Sequence, residues 1–71
     1  RSARGRADAV VKTPDQIYVF EFKLNGTAEQ ALQQIDDRGY LIPYLADGRE
    51  IVKVGVEFSA ETRNISRWLV E

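Results

Sequence analysis

Residues 16–24 read Gln-Ile-Tyr-Val-Phe-Glu-Phe-Lys-Leu, a run of β-branched and aromatic residues that constrains the fold more than any other segment. Side chains of a strand alternate between faces, so Tyr18, Phe20, Phe22 and Leu24 form one wholly apolar face. The opposite face runs Ile17, Val19, Glu21, Lys23, apolar at first and charged at its end. The wholly apolar face is the expected contact with the core, and Phe22 is expected in that core.

A partner strand is expected over Arg6–Lys12, joined to the first by Thr13-Pro14-Asp15-Gln16. Proline suits the first central position of a turn. It cannot take positive φ, which disfavours a two-residue type I′ loop and favours a four-residue one. Either symmetric loop sets Asp8 directly across from Glu21, on the same face. Two facing carboxylates repel. A divalent cation between them removes the repulsion, and Lys23 lies beside it.

Composition narrows the chemistry. Seventy-one residues allow one small domain, and a chain of this size buries only about 60% of its unfolded surface. Net charge is −1, with no Cys and no His. That excludes disulfides, thiolate metal sites, imidazole bases and His-rich zinc sites. Chemistry then rests on carboxylates, Lys, Arg, Tyr, Ser or Thr, and a metal would be a hard, oxygen-preferring one. No apolar run approaches the roughly 20 residues of a membrane-spanning helix, and no signal-peptide pattern occurs. The expected location is the cytoplasm, with no membrane contact. The chain begins at Arg1, and it is expected to be one domain over residues 1–71 within a larger protein.

Further along, Asn25-Gly26 breaks the strand, and Thr27-Ala28-Glu29-Gln30 fits a capping box with Thr27 as N-cap. Ala28, Ala31, Leu32 and Ile35 make a helical stripe, and Gly39 suits the residue just past the helix end. Leu41-Ile42-Pro43-Tyr44 reads as an apolar connection and Ala46-Asp47-Gly48-Arg49 as a turn. Ile51–Phe58 reads as a third strand, Ser59–Asn64 as a loop and Ile65–Val70 as a fourth strand. A strand–helix–strand run of this length predicts a parallel, right-handed crossover. The predicted fold is α/β: a β-hairpin, a helix and two further strands in one mixed sheet.

Gly5-Arg6-Ala7-Asp8, Phe20-Glu21-Phe22-Lys23, Ala31-Leu32-Gln33-Gln34-Ile35, Gly39-Tyr40 and the stretch Phe58 to Ile65 together resemble the PD-(D/E)XK nuclease superfamily. The closer likeness is to the nuclease-like domain at the C-terminus of bacterial AAA-ATPase-like proteins. The resemblance implies a restriction-endonuclease-like mixed sheet, truncated at its N-terminus. It assigns magnesium (or manganese) binding to Asp8 and Glu21 and water activation to Lys23; on chemical grounds the Phe22 carbonyl is expected as a further oxygen for the metal. Asp8, Glu21 and Lys23 are thus the expected catalytic residues. The chain departs from the pattern at Ala7, where proline is common. It departs again at Tyr40, which follows Gln34 by six positions where related exonucleases use four. No helix and strand precede Asp8 as they do in the superfamily core.

The expected function is magnesium-dependent hydrolysis of DNA phosphodiesters. DNA and an ATPase-like domain of the same protein are the expected partners. Arg4, Arg6, Gln34 and Arg38 are the candidate nucleic-acid contacts. The alternatives are a catalytically silent module that binds nucleic acid or protein, and a dimerising fragment, since the missing first strand leaves an edge open to a second copy.

Overall fold

Strand β1 (Ala9–Lys12) and strand β2 (Gln16–Leu24) form an antiparallel hairpin in the computed structural model, which describes residues 6–71. Pairs such as Ala9–Phe20 and Lys12–Ile17 follow the expected register, with residues 13–16 as the loop. Thr13 closes that loop: its N–H donates to the Gln16 carbonyl at 2.8 Å, and its hydroxyl accepts from the Gln16 N–H at 2.9 Å. Strand β1 is shorter than the expected Arg6–Lys12. The Asp8 N–H still donates to the Phe20 carbonyl at 3.1 Å. The next donor on β2, the Phe22 N–H, goes to the Asp8 side chain at 2.9 Å, so the ladder stops there.

Asn25 ends β2 with a φ of 57°, a left-handed conformation that asparagine tolerates. Helix α1 (Ala28–Asp37) then starts with both arms of the capping box in place. The Gln30 N–H donates to the Thr27 hydroxyl at 3.0 Å, and the Thr27 N–H to the Gln30 side chain at 2.9 Å. The Ala28 N–H, one of the first-turn donors without a partner inside the helix, donates to Glu57 Oε1 at 3.0 Å. The helix closes in a Schellman arrangement, with the Tyr40 N–H donating to the Ile35 carbonyl and the Gly39 N–H to the Asp36 carbonyl. Gly39 supplies the positive φ, 66°, that this turn requires. A 3-10 turn over Ile42–Tyr44 leads to strand β3 (Glu50–Ser59), and β4 (Asn64–Val70) follows.

The sheet order is β1-β2-β3-β4, with β2 and β3 parallel and both outer pairs antiparallel. Between β3 and β4 the register shifts at Glu57/Phe58, leaving Ser66 unpaired as a bulge. Among the described residues no helix is long and apolar enough to cross a membrane.

The helix buries the predicted stripe, Ala28, Ala31, Leu32 and Ile35. It covers the Ile17–Val19–Glu21–Lys23 face of β2, not the wholly apolar one. The core is Ile17, Val19, Leu32, Ile35 and Tyr40, while Phe22 is 45% exposed. The expectation that Phe22 lies in the core is therefore corrected. Which face a crossover helix covers follows from the hand of the β–α–β connection, and the relative apolarity of the two faces does not decide it. Gly55 of β3 marks where the helix presses closest: a Cβ there would lie 2.4 Å from the Ala28 carbonyl oxygen.

Side-chain truncation separates the two faces. Ile35→Ala should cost about 3–4 kcal/mol and Phe22→Ala about 1–2 kcal/mol, since nearly half of the Phe22 side chain is already in water. Gly55→Ala should cost about 1–3 kcal/mol, because the clash is with backbone and no rotamer relieves it. Urea unfolding midpoints at constant slope measure all three. A Phe22→Ala cost equal to that of Ile35→Ala would restore Phe22 to the core.

Candidate active site

The paired register runs from Lys12–Ile17 to Ala9–Phe20, and Asp8, expected directly across from Glu21, lies just beyond the last pair, with its N–H on the Phe20 carbonyl and its charge close enough to act on Glu21. The two differ in environment. Asp8 is exposed, while Glu21 is 5% exposed, the one buried charged residue in the described chain. Glu21 pairs in register with Gly55 of β3, so it lies under α1 where helix and sheet approach most closely.

Gln34, on the covering helix, organises the site. Its amide nitrogen donates to Glu21 Oε2 at 2.8 Å and lies 3.2 Å from the Tyr40 hydroxyl. Its amide oxygen accepts from the Lys23 ammonium. Glu21 Oε1 is buried and has no hydrogen-bond partner. Burial, the largest cause, and the Asp8 charge, the second, raise the Glu21 pKa, and Lys23 opposes them.

The structure thus brings Asp8, Glu21 and Lys23 together with Gln34. Arg38 is exposed and lines a polar groove of about 390 Å³ with Lys23, Gln30, Gln33, Gln34 and Asp37. Arg6 is exposed before β1, and Arg4 lies outside the described residues. Phe22 contributes its backbone N–H to Asp8 while its ring points to the opposite face of the sheet. The contact of Tyr40 with Gln34 escaped the sequence reading, which counted six positions between them. The signal was Gly39: the turn it permits folds the chain back so that Tyr40 returns to the helix it has just left.

Among the described residues no three or more His, Cys, Asp or Glu side chains cluster as a metal centre. The pair that is present still fits a hard divalent cation. Its donors are oxygens, one of them buried without a partner, and such ions accept one or two carboxylates with water completing the shell.

A second ion network braces the first turn of the helix. Arg67 of β4 donates to Glu29 of α1 at 2.8 Å and also bonds Glu57 of β3. The Arg67 hydrogen bond is the main reason that the Glu29 pKa is lowered to about 2. Glu57 of this network pairs in register with Lys23, two positions along β2 from Glu21.

The raised Glu21 pKa sets a sign for stability against pH. A carboxyl whose folded pKa exceeds its unfolded one favours the fold below the unfolded pKa, and that contribution is lost as pH rises through the folded pKa. Glu21→Gln keeps a side chain that can pair with Gln34 and removes the charge. In metal-free buffer it should stabilise the protein at neutral pH by up to about 1 kcal/mol. The gain should vanish once the pH falls below the ordinary carboxylate range. Thermal unfolding across pH measures this. A variant less stable than the parent at neutral pH would identify the Glu21 charge as a structural partner.

Comparison with known proteins accords with this geometry. The sequence model described as the PD-(D/E)XK nuclease superfamily matches residues 1–68. A relative from Azotobacter chroococcum mcd 1, "Uncharacterized protein in vnfD 5'region", is 42% identical over 72 residues. The match covers 99% of this chain and 14% of that protein, so the chain spans about one-seventh of the relative's length. No solved structure matches. With the family pattern running through 68 of its 71 residues, the chain belongs to the PD-(D/E)XK nuclease superfamily.

Proposed function

We propose that this domain hydrolyses DNA phosphodiesters with the help of magnesium or manganese. The observation that carries the reading is the buried Glu21 carboxylate, with one oxygen unpartnered, within reach of the Asp8 charge and two residues before Lys23. An isolated surface trio of these residue types would contribute only weak ion pairs, roughly 0–1 kcal/mol. A carboxylate held under a helix with an unsatisfied oxygen costs stability, and function is a recognised reason for such a cost.

In this reading Asp8 and Glu21 hold the cation, with the Phe22 carbonyl as a third oxygen. The bound ion supplies charge stabilisation at the phosphoryl group and a water that loses its proton more readily. Lys23 orients that water and balances negative charge at the phosphate. Gln34 fixes both working side chains, since one amide bonds Glu21 and Lys23 together. Arg4, Arg6 and Arg38 contact phosphates flanking the scissile one, and Gln34 borders the groove that Arg38 shares with Lys23. The proposal places the domain in the cytoplasm, joined to an ATPase-like domain of the same polypeptide. The motif resemblance supports that arrangement, and the relative's length leaves room for one.

Two measurements test it. In a magnesium or manganese titration followed by residue-resolved NMR, amide shifts should concentrate at residues 7–9 and 20–24. Weak, uniform shifts at all acidic residues would reject the metal site. In cleavage assays on the full-length protein, DNA should be cut only with the cation present. Lys23→Ala should lower the rate by about 10²–10³-fold while DNA affinity holds. Arg6→Ala and Arg38→Ala should instead weaken binding and flatten its salt dependence. Full-length protein that binds DNA and metal yet cleaves neither single- nor double-stranded substrates would leave a silent binding module.

A further inference from the structure

Lys23 has an anion across from it and bonds a neutral group instead. In the parallel register of β2 with β3 its partner is Glu57. Both side chains lie on the helix-covered face, since Glu57 Oε1 accepts the Ala28 N–H at 3.0 Å and the Lys23 ammonium reaches Gln34 of the helix. Neighbouring strands are about 4.8 Å apart, well within the reach of a lysine. An ammonium–carboxylate contact is roughly twice as strong as one to a neutral acceptor. Lys23 nevertheless donates to the Gln34 amide oxygen. The groups that act on Glu57 are the Ala28 N–H first and Arg67 second, and together they hold its carboxyl below the ordinary range.

Arg67 accounts for the choice. Its Nη1 lies 2.5 Å from Glu57 Oε1 and 2.8 Å from Glu29 Oε1, and its Nη2 lies 2.8 Å from Glu29 Oε2. An isolated ion pair on a surface contributes little. This one is a network, bidentate toward Glu29, and the Glu57 side chain within it is only 16% exposed. We propose that Arg67 is a positioning residue for Lys23: by occupying Glu57 it leaves the ammonium to Gln34, beside Glu21. A part for Arg67 in cleavage rests on the nuclease reading, whereas the placement of Lys23 does not.

Without Arg67, Glu57 keeps the Ala28 N–H, and Lys23 is the cation across the strands from it. The ammonium then leaves Gln34 for the carboxylate on β3. Gln34 loses the donor at its amide oxygen, and Glu21 loses the cation that acts on it. Arg67 also ties β4 to α1 through Glu29, a purely bracing role. The two roles separate at Glu57. Removing the Glu57 charge takes away the competing anion and does nothing to restore the brace.

The test is residue-resolved NMR in metal-free buffer. It reads the side-chain amide signals of Gln34 and whether the Lys23 ε-methylene lies close to Gln34 or to the Glu57 γ-methylene. Arg67→Gln, which keeps a donor and loses the charge, should shift the Gln34 signals and move the Lys23 contact to Glu57. Arg67→Met, made independently, should do the same. Arg67→Lys keeps the cation and should keep the parental contacts. Adding Glu57→Gln to Arg67→Gln should return Lys23 to Gln34. In the full-length protein, magnesium-dependent DNA cleavage should fall about tenfold in Arg67→Gln, in kcat and not in KM, and recover in the double variant. Parental Gln34 and Lys23 signals in both charge-removing variants would overturn the proposal. So would a double variant in which Lys23 stays displaced, which would make Arg67 a brace alone. These signals decide the inference even in a protein that cuts no DNA, where only the nuclease reading would fail.

Discussion

The close approach of α1 to the sheet at Gly55 is the constraint on which the rest depends. A helix this near leaves no room for any side chain on β3 at that point, since the Ala28 carbonyl already occupies the space. The small residues of the stripe, Ala28 and Ala31, answer from the helix side, and Leu32 and Ile35 fill the wider region over Ile17 and Val19. The same approach lowers Gln34 onto Glu21. Core packing and the polar site are therefore consequences of one helix position. That position is pinned at its start by the capping box and by Glu57, and at its end by the Gly39 turn.

Burial divides two carboxylates that the register alone would make equivalent. Asp8 lies just before the short outer strand, open to water, and one of its oxygens is occupied by the Phe22 N–H. Glu21 lies on an inner strand beneath the helix, where desolvation disfavours its charge. Hydrogen bonding satisfies one Glu21 oxygen and leaves the other bare. A buried, half-satisfied carboxylate is costly, and nothing in the packing requires an acid at that position, because its neighbour on β3 is glycine.

Much of this was legible in the sequence. Proline at position 14 marked the turn, and a symmetric loop about it gives the observed register from Lys12–Ile17 to Ala9–Phe20. The Thr27 and Gln30 pair and Gly39 marked both helix ends, and the stripe gave its buried face. These are local signals, each settled within a few residues. The choice between the two faces of β2 was not local. Period-two alternation shows that Tyr18, Phe20, Phe22 and Leu24 share a face, but not on which side the crossover places its helix. Apolarity pointed to the wrong side because the open face of this sheet is the more apolar one. The Tyr40–Gln34 contact was hidden for a similar reason. Linear spacing assumes a continuing helix, and Gly39 reverses the chain between the two residues.

The part played by Gln34 follows from what its neighbours can donate and accept. An ammonium offers only donors and an ionised carboxylate only acceptors, so a side chain bridging them must accept at one end and donate at the other. An amide does both and carries no charge. A glutamate there would repel Glu21, and a lysine would repel Lys23. The amide also has a single workable orientation, oxygen toward Lys23 and nitrogen toward Glu21. With the neutral spacer in place, cation and anion are held near each other without closing into a direct ion pair. Such a pair would draw Lys23 onto the carboxylate and engage the oxygen that is now free. The bridge therefore leaves Glu21 Oε1 without a partner while keeping the Lys23 charge close to two acidic side chains.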